Sequence, residues 1–156
     1  MAEHMQQQIV QALQTTLKLA GTAAQDRVRV DGLDLLPVDN CPALELTVGD
    51  ESVAPITNGK AGVATQQREL QIEVACLVAG SRDYRPRAAE LLAQVEEALG
   101  SRRPTVLDGL LARRPRLLGT RPQLDGQGAQ AVYAIRSMWM FRYFTAEGAP
   151  RGPANP

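Results

Sequence analysis

The stretch Ala129-Gln-Ala-Val-Tyr-Ala-Ile-Arg-Ser-Met-Trp-Met-Phe-Arg-Tyr-Phe-Thr145 decides the fold. It alternates throughout: Ala131, Tyr133, Ile135, Ser137, Trp139, Phe141 and Tyr143 share one face, and Val132, Ala134, Arg136, Met138, Met140, Arg142 and Phe144 share the other. A period of two held for so long is a strand, which at ~3.3 Å per residue reaches ~50 Å. Large apolar groups stand on both faces, so both are expected to be covered at least in part.

Glu69 to Ala79 repeats the pattern, with Leu70, Ile72, Val74, Cys76 and Val78 on one face. Shorter alternations occur at Arg27 to Val30 and at Leu44 to Val48. Two other segments follow the helical period. Ile9, Leu13, Leu17 and Ala20 form an apolar stripe that Gly21 stops. Ala88, Leu91, Leu92, Val95, Ala98 and Leu99 form a second stripe, from Pro86 in a first turn to Gly100 at the end. A short helix is expected from Thr105, as its cap, through Ala112, and a short strand over Arg116 to Thr120. Leu124 to Gly128 reads as a turn. Gly49 to Gln66 is small, polar and proline-bearing, and reads as one long surface loop.

Strands in runs broken by a few helices predict an α+β fold, a mixed and mostly antiparallel sheet with helices packed on one face. The chain of 156 residues fits a single domain over residues 1–145, with 146–156 as a disordered tail rich in Gly and Pro. No apolar run approaches the ~20 residues that cross a membrane, and the N-terminal residues lack signal-peptide character. A cytoplasmic protein at the point of synthesis is therefore expected.

Motifs for chemistry are missing. The sequence has no GxSxG, HExxH, GxxxxGK[ST] or GxGxxG. His4 is the only histidine, and Cys41 and Cys76 lie far apart with no CxxC partner, which predicts buried small hydrophobes and no metal site. Asp31 and Asp34 bracket a turn, and Glu96 and Glu97 are neighbours on a helix that point apart. No catalytic residue, cofactor or metal is expected, and the chain is not read as an enzyme.

Net charge is zero, which gives the whole molecule no electrostatic case for nucleic acid or a membrane. The charge is segregated along the chain. Seven acids between Asp26 and Glu51 face only Arg27 and Arg29, and six arginines between Arg102 and Arg121 face only Asp108. Opposite patches on one chain suit head-to-tail association, and solvated surface is the competing explanation. The aromatics at 133, 139, 141 and 143 sit at core spacing, which argues against stacking on bases, so no specific nucleic-acid role is expected.

Together these features resemble the tail terminator proteins of long-tailed bacteriophages, also called tail completion or minor tail proteins. The resemblance runs from about Gln8 to Thr145. It rests on the opening helix with Ile9 to Leu17, on Val28-Arg29-Val30, on Leu36-Pro37 to Val48 with Pro42-Ala43-Leu44-Glu45-Leu46, and on Arg68 to Val74. It continues through the helix Ala88 to Leu99 and the strand Ala131 to Tyr143, closing on Met140-Phe141-Arg142-Tyr143. The resemblance implies a ring, typically of six subunits, on the last ring of the tail tube at the neck end of the virion. Such a ring stops tube polymerisation and offers the surface to which the head connector attaches, after assembly in the host cytoplasm. Its partners are then other copies of itself, the tail tube protein and the head–tail connector protein. Asp50, Glu51 and Lys60 in the expected loop, and Arg113, Arg114 and Arg116 in the basic stretch, are the candidate interface residues. A head–tail connector of the neck is the first alternative, and a small α+β enzyme or ligand-binding domain is the second.

Overall fold

A computed structural model describes residues 3–32, 38–56, 64–80, 82–100, 105–125 and 131–154. The elements are α1 (Met5–Leu19), β1 (Val28–Val30), β2 (Ala43–Ile56), β3 (Thr65–Ala79), α2 (Tyr84–Gly100), β4 (Arg116–Asp125) and β5 (Val132–Ala146), with a 3-10 turn at Val38–Asn40. The strands form one sheet in the order β1-β2-β3-β5-β4. Only β1 and β2 run parallel; the other three pairings are antiparallel. The α+β class and the mixed, mostly antiparallel sheet are as the alternating stretches predict.

The core lies between the sheet and two helices. On α1, Met5, Ile9, Leu13 and Leu17 are fully buried, and on α2 Ala88, Leu91 and Val95 are. They join one cluster with Leu44, Leu46, Leu70, Ile72, Val74, Phe141 and Tyr143 of the sheet. The helical spacing of three and four therefore meets the odd face of β5 and the even face of β3, the faces the alternation picks out. Gly21 takes φ +69° just past α1, the left-handed turn that lets a chain leave a helix without a Cβ penalty.

Ser137 is buried in this apolar layer with its hydroxyl satisfied. It donates to the Val74 carbonyl at 2.8 Å and accepts from Trp139 Nε1 at 2.9 Å. The large indole thus sits in the core without an orphaned donor.

Several expectations are corrected. The loop over Gly49 to Gln66 is mostly hairpin, because β2 continues to Ile56 and β3 begins at Thr65, with pairing from Glu51↔Leu70 to Ile56↔Thr65. Residues 57–63 lie outside the described ones. The alternation was hidden by a bulge between Val48 and Glu51, which puts Glu51 where strict alternation would put Asp50. The helix over Thr105 to Ala112 is a series of turns. The Asp108 carboxylate accepts from the Thr105 N–H at 2.6 Å, the backward bond of a capping box, but Gly109 disfavours helical continuation and the turn is not propagated into a helix. The strand expected over Arg116 to Thr120 runs to Asp125, so it takes in part of the expected turn at Leu124 to Gly128; residues 126–128 of that turn lie outside the described ones.

Residues 147–154, expected as a disordered tail, run through turns tied to the domain. The Met5 N–H donates to the Pro150 carbonyl at 2.8 Å, and the Ala154 N–H donates to the Phe144 carbonyl at 2.9 Å.

Candidate assembly interface

The two faces of the sheet differ sharply. One is covered by α1 and α2. The other carries Glu45, Glu69, Gln71, Glu73, Arg136, Met138, Met140 and Arg142, all half-buried. Three ion pairs cross neighbouring strands on this face: Arg29–Glu45 at 2.5 Å, Arg136–Glu73 at 2.8 Å and Arg142–Glu69 at 2.7 Å. A small apolar cluster of Ala75, Leu77 and Ala134 closes one end. Neither helix covers this second face, so the expectation that both faces are covered holds only there.

The sheet ends in two exposed edges. Among the described residues β4 pairs only with β5, and its Arg116, Leu118, Gly119, Thr120, Arg121, Pro122, Leu124 and Asp125 are exposed. On the opposite side β1 pairs only with Leu44 to Leu46, which leaves β2 from Gly49 to Ile56 as an edge. Each edge carries the devices that stop unwanted strand addition. β2 has its bulge and Pro55; β4 has a bulge between Leu117 and Gly119, and Pro122.

The residues singled out in the sequence distribute unevenly over these edges. Asp50 is exposed in the β2 bulge, beside Gly49, whose missing Cβ lets the Gln71 carbonyl approach to 3.2 Å of where that atom would sit. Lys60 lies outside the described residues. Arg113, Arg114 and Arg116 are exposed at the start of β4. With Met140 and Arg142 they line one shallow cleft of about 130 Å³. Arg114 donates to the Gly100 carbonyl at the end of α2 (3.1 Å), and Arg142 is paired with Glu69. Arg113 and Arg116 have no acidic partner among the described residues. Arg142 and Met140 escaped the sequence reading as members of this cluster, because only the β4–β5 register brings them there.

Glu51 has a different place. Its Oε1 accepts from the Tyr143 hydroxyl at 2.5 Å and from Arg68 Nη1 at 3.3 Å, and its Oε2 accepts from Gln6 Nε2 at 3.1 Å. One carboxylate thus ties α1, β2, β3 and β5 together. Burial first, and then the hydrogen bond to Glu51, push the Tyr143 hydroxyl well above its ordinary pKa, so it stays protonated as the donor.

Neither cysteine is placed as a nucleophile. Burial raises the Cys41 thiol, and it pushes the Cys76 thiol up to about 12. Among the described residues no group of three His, Cys, Asp or Glu side chains is arranged to hold a metal ion. A groove between the end of α1 and α2 is lined by Leu19, Ala20, Glu90, Gln94, Glu97 and Val106, with no triad or dyad in it. Among the described residues no helix is long and apolar enough to cross a membrane.

No protein-family model matches the chain, and no curated protein matches it. Among solved structures, a chain of the virion of a native gene transfer agent (GTA) particle is similar over 86% of this chain and 96% of that one, at 19% identity and a TM-score of 0.39. A likeness this distant establishes neither a shared fold nor a shared role.

Proposed function

We propose that this chain is a virion structural protein that caps a phage tail tube as a head-to-tail ring, ends tube polymerisation and presents the surface for head attachment. The observation that carries this reading is the uncovered second face of the sheet. A sheet with helices on one side and a polar, ion-paired surface on the other suits a wall between a packed exterior and a water-filled channel. The exposed acid and the uncommitted arginines on opposite edges fit a contact in which each copy offers one patch and receives the other. The resemblance of the sequence to tail terminators supports the tube end over other ring assemblies. The neck of the virion is then the protein's final location, and the tube protein and the head connector are its partners. A connector on the head side is the second reading, since the same polar face would serve a neck channel.

Gold labelling of an affinity-tagged copy on intact virions tests the location. The account expects one cluster of label at the head-proximal end of each tail. Label distributed along the tube, or only at the distal tip, contradicts it.

A further inference from the structure

The geometry points to one contact behind the ring: the Asp50 carboxylate of one copy seats in the arginine cleft of a second copy of this chain. This rests on the head-to-tail reading above and assigns its two surfaces.

The first support is position. Gly49 and Asp50 fill the β2 bulge opposite Gln71, since Val48 pairs with Ile72 and Glu51 with Leu70. Gln71 pairs with Met140, and Met140 pairs with Arg116. The acid and the cleft therefore lie in one row across the sheet, at its two edges. Three strand spacings of ~4.8 Å separate them, about 14 Å in all. A second copy placed beside the first along this row brings its Asp50 level with the first copy's Arg116.

The second support is the blunting of both edges. Bulges and prolines oppose a continuous backbone ladder between copies, so side chains must make the contact. The β2 bulge lies in this row and the β4 bulge just past Arg116, between Leu117 and Gly119, and Asp50 and Leu118 stand exposed in them. The third support is charge. Asp50 has no ion-pair partner among the described residues, and neither do Arg113 and Arg116. The cleft of about 130 Å³ has room for a carboxylate, and the planar guanidinium groups pair with carboxylates in a fixed geometry.

Sedimentation of purified protein at low salt tests the contact, with Asp50→Arg, the double variant Arg113→Glu/Arg116→Glu, and their equimolar mixture. Circular dichroism melts verify that each variant folds. Wild type should associate within a concentration series reaching ~1 mM. Each variant alone should associate at least about tenfold more weakly. The mixture should recover, because each variant keeps the patch the other needs and the reversed charges also match. Three results overturn the contact: a wild type monomeric throughout, variants that associate as wild type does, or a mixture no better than its components. Rings that form regardless of these charges overturn the contact and leave the capping role standing. Tails that end normally without the protein overturn the capping role itself.

Discussion

Asp50 and Arg116 stand at opposite ends of a single row across the sheet, linked through Gln71 and Met140. Charges so placed cannot neutralise each other within one copy and are free to do so between copies. An exposed contact of this kind is screened when the Debye length falls from ~10 Å near 0.1 M salt to ~3 Å at 1 M. Self-association of the wild type should therefore weaken steeply as salt rises, as read by sedimentation. Association that strengthens with salt would point to an apolar interface.

Glu51 ties three other elements to β2, so its removal should be costly. Glu51→Ala leaves the Tyr143 hydroxyl and Gln6 without this acceptor and Arg68 without its carboxylate, with only Thr145 and Gln66 as acceptors, and is expected to cost about 2–4 kcal/mol in urea unfolding. Tyr143→Phe removes one donor and leaves the ion pair to Arg68, and should cost about 1–2 kcal/mol. Equal losses for the two would mean that the carboxylate is not the hub.

Gly80 lies against β5's entry. A Cβ there would sit 2.8 Å from the Ala131 Cβ and 3.0 Å from the Ala131 carbonyl oxygen, and the Gly80 N–H already donates to that oxygen at 2.7 Å. Backbone must move to admit a methyl group, so Gly80→Ala should destabilise by about 1–3 kcal/mol. Gly100→Ala, with nothing within 4 Å of the added atom, is the control and should be neutral or slightly stabilising.

The Cys76 thiol gives the fold a defined alkaline sensitivity. Its pKa is raised from 9.0 to about 12 by burial, so the folded state holds a proton that the unfolded state releases above pH 9. Stability from this group is intact below pH 9 and is lost between pH 9 and 12, amounting to about 1.4 kcal/mol by pH 10. Cys76→Ala should lower stability at pH 7 through the lost packing, yet flatten the decline between pH 8 and 10. An unchanged slope would show that another group sets it.

Much of the architecture was legible because β3 and β5 alternate without interruption and both helices keep a clean apolar stripe. The far half of β2 was not legible. Its bulge breaks the period of two, and an exposed edge strand has no buried face to mark with apolar residues. The turns after Thr105 read as a helix in the sequence because Thr105 and Asp108 make the bond of a helix start, while Gly109 weakens the leucine pattern that would continue it. Asp50 and the arginines stand out in sequence as charge runs. Their alignment in one row depends on three strand registers, and no local pattern encodes those. Glu51 looked like a surface acid beside Asp50 because only the bulge turns it inward.

The most direct test of the proposed capping role is electron microscopy of particles made when this gene alone is disrupted in a phage that carries it. The account predicts headless tubes of uneven or excessive length. Tails of normal length lying beside unattached full heads would contradict it and assign the protein to the head side of the neck.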